Sequence, residues 1–304
     1  MLVGVSVVDP DGVVSQQSHL MQQLSPTFVA TAPPVSRFRY FMPRRELDGL
    51  ARQLAAARGR VVLLGRGSFH HLTAALVRAC TLPLPFPGGG RVVDPPETVD
   101  LVVVDAHADW APAPAGYLHC GSWVAEVLAM PQVGQVILVG VGGLRALGLL
   151  NPTVLRRVGP AAREGRLWVY PAGSATAGEL AESLYPGRLL LSLEDPPERV
   201  VRDLAARVRG RHVYLSVDKD VLLADEAPGC WPGGQVPARV LFRLVEGLMG
   251  AVEPERWVGA DICGEWEGWG PLYQGQQAAA MHEAINLQLL RLLLQPVARR
   301  PAAA

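Results

Sequence analysis

Lysine is nearly missing from this chain of 304 residues: of 28 lysines and arginines, Lys219 is the only lysine. Net charge is missing too, because the 28 basic residues are balanced by 28 acidic ones. That balance argues against a nucleic-acid partner, which calls for a basic surplus. Cysteine is scarce, with Cys80, Cys120, Cys230 and Cys263 and no CxxC pair, which argues against a paired-cysteine zinc cluster. No apolar run approaches the length of a membrane span, so no membrane partner is expected. Met1 runs into a strand-like segment without a basic start or a cleavage pattern, so the expected setting is cytoplasmic and reducing. There is no internal repeat, and no low-complexity tail beyond Arg299–Ala304. The surplus of Ala, Arg, Gly and Pro reads as coding bias.

What is present is a large apolar fraction, 49% of residues, enough for a sizeable core. The predicted strands are Leu2–Val8, Arg60–Leu64, Leu101–Asp105, Gln135–Val141, Leu167–Tyr170, Arg188–Leu193, His212–Val217 and Arg256–Ile262. Several are unbroken Val/Leu/Ile runs, which suit strands buried on both faces of a parallel sheet. Helical spacing marks Arg45–Arg58, His71–Ala79, Gly121–Met130, Pro196–Arg209, Pro237–Gly250 and Gln276–Leu294. Strands alternating with helices predict a doubly wound α/β fold. The Gly/Pro-rich stretches Pro83–Gly90, Ala111–Gly116 and Ala227–Gly234 read as surface loops rather than tethers, so residues 1–304 form a single domain in this reading.

The strongest local signal is Val104-Asp105-Ala106-His107-Ala108-Asp109, an apolar strand end followed by three candidate ligands at alternate positions. Alternate side chains of an extended chain share a face, about 6–7 Å apart. One segment can therefore serve two neighbouring ions, and carboxylates with imidazole suit Mn²⁺ and related divalent metals. A second strand ends Ser216-Val217-Asp218-Lys219-Asp220, again with two carboxylates on one face and Lys219 on the other. By itself this could be a solvated turn neutralised by Lys219; with the first segment it becomes a second ligand pair at the carboxyl end of a parallel strand. A third strand leads into Gly67-Ser68-Phe69-His70-His71, where either histidine could be a ligand.

In order and spacing, these segments resemble the motifs GGDHS, DxHxD and SxDxD of the arginase–agmatinase–formiminoglutamase superfamily, the ureohydrolases. The resemblance runs from the strand near Arg60 to about Glu265. It implies a three-layer α/β/α sandwich with a mainly parallel sheet of about eight strands. It also implies two Mn²⁺, with other divalent metals possible. His70, Asp105, Asp109 and Asp218 would hold one ion, and Asp105, His107, Asp218 and Asp220 the other. The implied activity is hydrolysis of a linear C–N bond in a guanidino or amidino small molecule by a hydroxide that bridges the ions, with Asp109 orienting it. Members often form oligomers, so a homo-oligomer is possible. His119 stands near the place of a proton-shuttling histidine, and an imidazole there could protonate a leaving amine.

The chain departs from the superfamily at three points. Phe69 replaces the aspartate of the first motif, and Leu223-Ala224 stands where the third motif continues Asp-Pro. Guanidino-hydrolysing members carry a glutamate three residues after the aspartate that matches Asp261; here that residue is Gly264, and Glu265 comes one later. A bulge at Gly264 could absorb the shift. Trp110, Trp123, Trp231, Trp266 and Trp269 gather around the motif loops as pocket or core residues. Two other readings stand beside the leading one: an amide hydrolase like the deacetylases of the same fold, and a non-catalytic metal-binding descendant.

Overall fold

Short runs of Val, Leu and Ile carry the fold because each can be covered on both faces. The computed structural model describes residues 2, 4–24, 29–30, 35–83, 96–208, 211–229, 231, 233–268 and 272–294. Cys230, Trp269, most of the Pro83–Gly90 loop and the Arg299–Ala304 tail lie outside the described residues. Eight strands form one sheet: β1 (Val5–Val7), β2 (Val29–Ala30), β3 (Val61–Arg66), β4 (Val99–Val104), β5 (Val133–Val141), β6 (Leu167–Pro171), β7 (His212–Asp218) and β8 (Trp257–Glu265). Their spatial order is β2-β1-β3-β8-β7-β4-β5-β6, and every adjacent pair is parallel.

Alternation along β4 shows how the layers arise. Leu101 and Val103 enter one apolar core, while Val102 and Val104 enter another on the opposite face. The first core is closed by α2 (Leu47–Gln53), α3 (Thr73–Thr81), α4 (Trp123–Leu128), α5 (Pro152–Arg163) and Leu180 of α6 (Ser174–Ser183). The second is closed by α1 (Ser18–Leu24), α7 (Pro197–Val208), α8 (Ala238–Ala251) and α9 (Leu272–Leu294). The result is a three-layer α/β/α sandwich. Among the described residues no helix is long and apolar enough to cross a membrane.

The structure corrects several elements. Arg188–Leu193 is not a strand: it runs irregularly past the outer edge of β6, touching it where the Leu193 amide donates to Pro171 O at 2.9 Å. Leu189 is 89% exposed, so that apolar run has no second sheet neighbour to bury it. The eighth strand is β2 instead, only two residues long and too short to show a period. The helix expected over Arg45–Arg58 is broken into two 3₁₀ turns around α2. Three helices outside the expected set, α1, α5 and α6, complete the layers. Of these α5 carries clear signals, with Asn151 accepting from the Thr153 and Val154 amides and Pro152 in its first turn.

Strands β3 and β4 follow one another in sequence but are separated in space by β8 and β7. The connection between them therefore leaves a crevice above the carboxyl ends of these four central strands, where α/β folds place their ligands. A short antiparallel pair, Phe41–Pro43 with Tyr117–His119, sets His119 opposite Phe41.

Candidate metal centre

Three strand ends bring six side chains together in the crevice. After β4, the Asp105 amide still bonds Val139 O at 3.0 Å, so its side chain leaves from a fixed backbone. The His107 amide donates to Asp105 Oδ1 at 2.6 Å. Asp109 adopts φ +46, a left-handed conformation unusual for a residue with a Cβ. It is held there by Trp123, whose Nε1 donates to Asp109 Oδ2 at 2.7 Å. After β7, Asp218 caps the 3₁₀ turn Lys219–Val221, its Oδ1 accepting from the Asp220 amide at 3.0 Å. Asp220 turns back to His107, with Oδ2 at 3.0 Å from Nδ1.

Of the two adjacent histidines after β3, His70 joins the cluster. Its Nδ1 lies 3.2 Å from Asp105 Oδ2, 3.2 Å from Asp109 Oδ2 and 3.3 Å from Asp218 Oδ2. His71 is buried, and burial together with neighbouring His70 lowers its pKa to about 3, so it is a neutral core ring. The far nitrogen of His70, Nε2, sits 2.9 Å from Ser216 Oγ, which donates to Asp261 Oδ1 at 2.7 Å. Because the serine proton goes to Asp261, Ser216 Oγ accepts the Nε2 proton. Nδ1 of the neutral ring then turns its lone pair toward three carboxylate oxygens. Only a proton or a metal ion resolves that contact.

Beside a group formed by His70 with Asp261 and Cys263, two groups of ligand atoms among the described residues gather the predicted ligands closely enough to hold an ion: His70 with Asp105 and Asp109, and Asp105 with His107 and Asp220. Asp105 belongs to both, and Asp218 adjoins the first through His70. Asp105 Oδ2 is buried without a hydrogen bond. Four buried carboxylates and two imidazoles in this arrangement fit hard or borderline divalent cations such as Mn²⁺.

Electrostatics point the same way. Burial pushes Asp109 up to about 7, with Asp105 adding repulsion and His70 opposing it. Burial and Asp220 push Asp218 to about 7, and burial and Asp105 push Asp220 to about 6. Burial also works against a charged Asp105, but His107 and His70 beside it hold its pKa below the usual carboxylate value. Burial disfavours a charged His107, yet Asp105 and Asp220 push it up to about 12. Such mutual shifts mark carboxylates short of positive charge.

His119 borders this cluster without entering it. A Cβ added at Gly121 would lie 3.5 Å from His119 Nδ1 and 3.9 Å from Asp109 Oδ1, which measures how near the two come. Both ring nitrogens of His119 are engaged by backbone: Nδ1 accepts from the Gly121 amide at 3.1 Å, so Nε2 donates to Pro112 O at 3.1 Å. Cys120, beside it, is only partly exposed, and burial raises its thiol to about 12.

Glu265 does not meet the expectation of a carboxylate facing a substrate cation. A bulge does occur in β8 between Cys263 and Glu265, but the Glu265 carboxylate is taken by the chain's own Lys219, by Asn286 and by Gln17. Nor could a side chain at 264 replace it: Gly264 has φ +85, and a Cβ there would lie 2.2 Å from Asp218 Oδ1. Of the tryptophans, Trp110 and Trp123 are fully buried, whereas Trp231 is 41% exposed at the mouth and meets Tyr40 edge-on.

Two residues that support the site entered the sequence reading only as motif positions, without a role. Ser216 shares a face with Asp218 by simple alternation, a signal that could have found its role. Asp261 had no such signal, since its link to Ser216 spans 45 positions.

The chain shares its fold with proteins of solved structure. The chain superposes on proclavaminate amidino hydrolase from Streptomyces clavuligerus with a TM-score of 0.59 at 18% identity, covering 96% of this chain and 92% of that one. Arginase from Bacillus caldovelox gives a TM-score of 0.60 at 18% identity over 97% of this chain and 99% of that chain. A hypothetical agmatinase from Burkholderia thailandensis gives 0.59 at 18% identity over 95% and 86%. In sequence, the chain is 24% identical over 290 residues to an uncharacterized protein of Thermotoga maritima, covering 95% of this chain and 89% of that protein. No protein-family profile matches the chain. The fold is the one shared with these amidino hydrolase, arginase and agmatinase structures.

Proposed function

We propose that this protein is a binuclear metal hydrolase that cleaves a linear C–N bond in an amidino or guanidino compound, with Mn²⁺ as its metal. The observation that carries the reading is the pair of ligand groups sharing Asp105 at the carboxyl ends of β3, β4 and β7. His70, Asp105, Asp109 and Asp218 would hold one ion, and His107 and Asp220, with Asp105 and Asp218, the other. Two such cations supply Lewis-acid charge and a water acidic enough to ionise near neutral pH.

The chain's own residues arrange the rest. Ser216 and Asp261 fix the His70 ring, and Trp123 fixes Asp109, so the ligands are aimed before any cation arrives. Asp109 would orient the attacking water through Oδ1, because Oδ2 is bonded to Trp123. His119 could pass a proton to a leaving amine from Nε2, on giving up its bond to Pro112 O. The exposed rim of Trp231 and Phe41 would exclude water from one side of a bound substrate.

A second reading is favoured by one specific observation: Glu265 is already paired with Lys219, leaving it unable to anchor a guanidinium. Under that reading the same centre hydrolyses an uncharged amide. The Mn²⁺-loaded protein, assayed on a panel of guanidines, amidines and acylated amines, separates the two. Urea or ammonia release supports the first; carboxylate release from acylated amines alone replaces it with the second. Inactivity of a metal-replete chain on the whole panel overturns both in favour of a non-catalytic metal-binding protein.

A further inference from the structure

Lys219 lies between the ligands Asp218 and Asp220, yet its side chain is 0% exposed and points away from them. Nζ pairs with Glu265 Oε1 and donates to Asn286 Oδ1 at 2.8 Å. Asn286 Nδ2 donates to Glu265 Oε1 at 2.7 Å and to Gln17 Oε1 at 2.9 Å, and Gln17 Nε2 donates to Glu265 Oε2 at 2.8 Å. All four side chains are buried. They come from the turn after β7, the end of β8, helix α9 and the segment before α1, so one ring of polar contacts ties four separate parts of the chain to residue 219. On the other side of the same backbone, Gly264 is packed so closely that a Cβ would lie 2.6 Å from the Lys219 amide nitrogen.

The pair is neutral as a whole, since one ammonium meets one carboxylate. It therefore adds no net charge to the neighbouring carboxylate cluster. What it does add is a fixed backbone at residue 219, and with it the directions in which Asp218 and Asp220 leave the chain. A buried ion pair is a weak source of stability but a strong constraint on geometry when every donor and acceptor is used.

We propose that Lys219 is a positioning residue for the metal centre: locked to Glu265 and Asn286, it holds the turn that aims Asp218 and Asp220 at the ions. The effect falls most heavily on the ion held by His107 and Asp220, because Asp218 still belongs to β7 and pairs with Cys263 of β8, whereas Asp220 lies in the turn itself, held by its amide's bond to Asp218 Oδ1 and by the Ala106 amide on its Oδ1. The inference rests on the binuclear reading, and its test separates the two. Metal-free wild-type protein and the charge-neutral double variant Lys219→Met with Glu265→Gln are titrated with Mn²⁺ by calorimetry. The bound ions are then examined by electron paramagnetic resonance.

The expected result is two ions with a coupled-pair spectrum in the wild type. In the variant, one ion is retained and the second is weakened about 10–100-fold, with an isolated-ion spectrum and a metal-free melting temperature near that of the wild type. Wild-type affinity for both ions in the folded variant would overturn the inference and leave the metal centre standing. A wild-type chain that takes up no Mn²⁺ overturns the metal centre itself, and the inference with it. Should the double variant not fold, Asn286→Leu, which removes one tether from the ammonium, decides the matter: second-ion affinity unchanged from wild type overturns the proposal, and a loss of several-fold supports it.

Discussion

The turn after β7 buries charge on two faces in opposite ways. On one face Lys219 and Glu265 form a closed set with Asn286 and Gln17, and the chain supplies both the cation and the anion. On the other face Asp218 and Asp220 join Asp105 and Asp109, four buried carboxylates with only two imidazoles among them. Burial penalises charge equally on both sides. The first face is complete as the chain folds, and Glu265 accordingly has a lowered pKa despite burial, because Lys219 and His282 favour its charge. The second is not complete, and burial raises Asp109, Asp218 and Asp220 to about 7, 7 and 6. A shortage of positive charge on one face, beside a full complement on the next, is what the proposed binding of divalent cations rests on.

The contrast can be broken most sharply at Asp105, which serves both ligand groups. Asp105→Asn should abolish uptake of both ions and with it the hydrolysis, as read by metal analysis of the dialysed protein; retention of two ions would erase the distinction between the faces. Next in size is Gly264→Ala. Its φ of +85 and the close approach to Asp218 leave no room for a methyl group. The substitution should cost about 1–3 kcal/mol or more of stability in thermal melts and weaken Mn²⁺ binding as well.

Trp123→Phe removes the bond to Asp109 while keeping an aromatic ring in the core. It should lower Mn²⁺ affinity about 10-fold, with a smaller change in melting temperature.

A fourth prediction concerns pH. In the metal-free protein the raised carboxylates bind protons in the folded state that they have lost in the unfolded state, so folding is stabilised at low pH and weakened as pH rises from about 4 to about 7. His107, raised to about 12, acts in the same direction above its unfolded value of about 6.5, its stabilising effect being lost only as pH climbs toward 12. The metal-free melting temperature should therefore fall between pH 5 and pH 7, and Mn²⁺ should raise it more at pH 7 than at pH 5. A metal-free protein that grows more stable over that interval would contradict the assignment of unfilled charge to this face. The smallest effect is expected from Trp231→Ala at the mouth, a several-fold rise in KM with little change in kcat, measured on whichever substrate the panel identifies.

Much of this was legible in the sequence, for reasons that also explain what was not. Asp105, His107 and Asp109 could be read because they follow a strand buried on both faces, and local alternation is enough to group them. Asp218 and Asp220 were found by the same rule, which equally put Lys219 on the far side. Local patterns could not choose between His70 and His71; that choice depends on Ser216 and Asp261, which lie on other strands. They also misplaced Glu265. The bulge at Gly264 was foreseeable from the residue type, but its outcome depends on Lys219, Asn286 and Gln17, partners brought near only by the sheet order and by α9. The apolar run Arg188–Leu193 looked like a strand because its composition is that of one; what it lacks is a neighbour on its outer side.

The most direct test is the number of Mn²⁺ ions bound by the wild type and by Asp220→Asn, counted by calorimetric titration with metal analysis of the same samples. Two ions in the wild type and one in the variant are expected from a pair of ligand groups that share Asp105. No ion in the wild type, or the same number in both proteins, would contradict it.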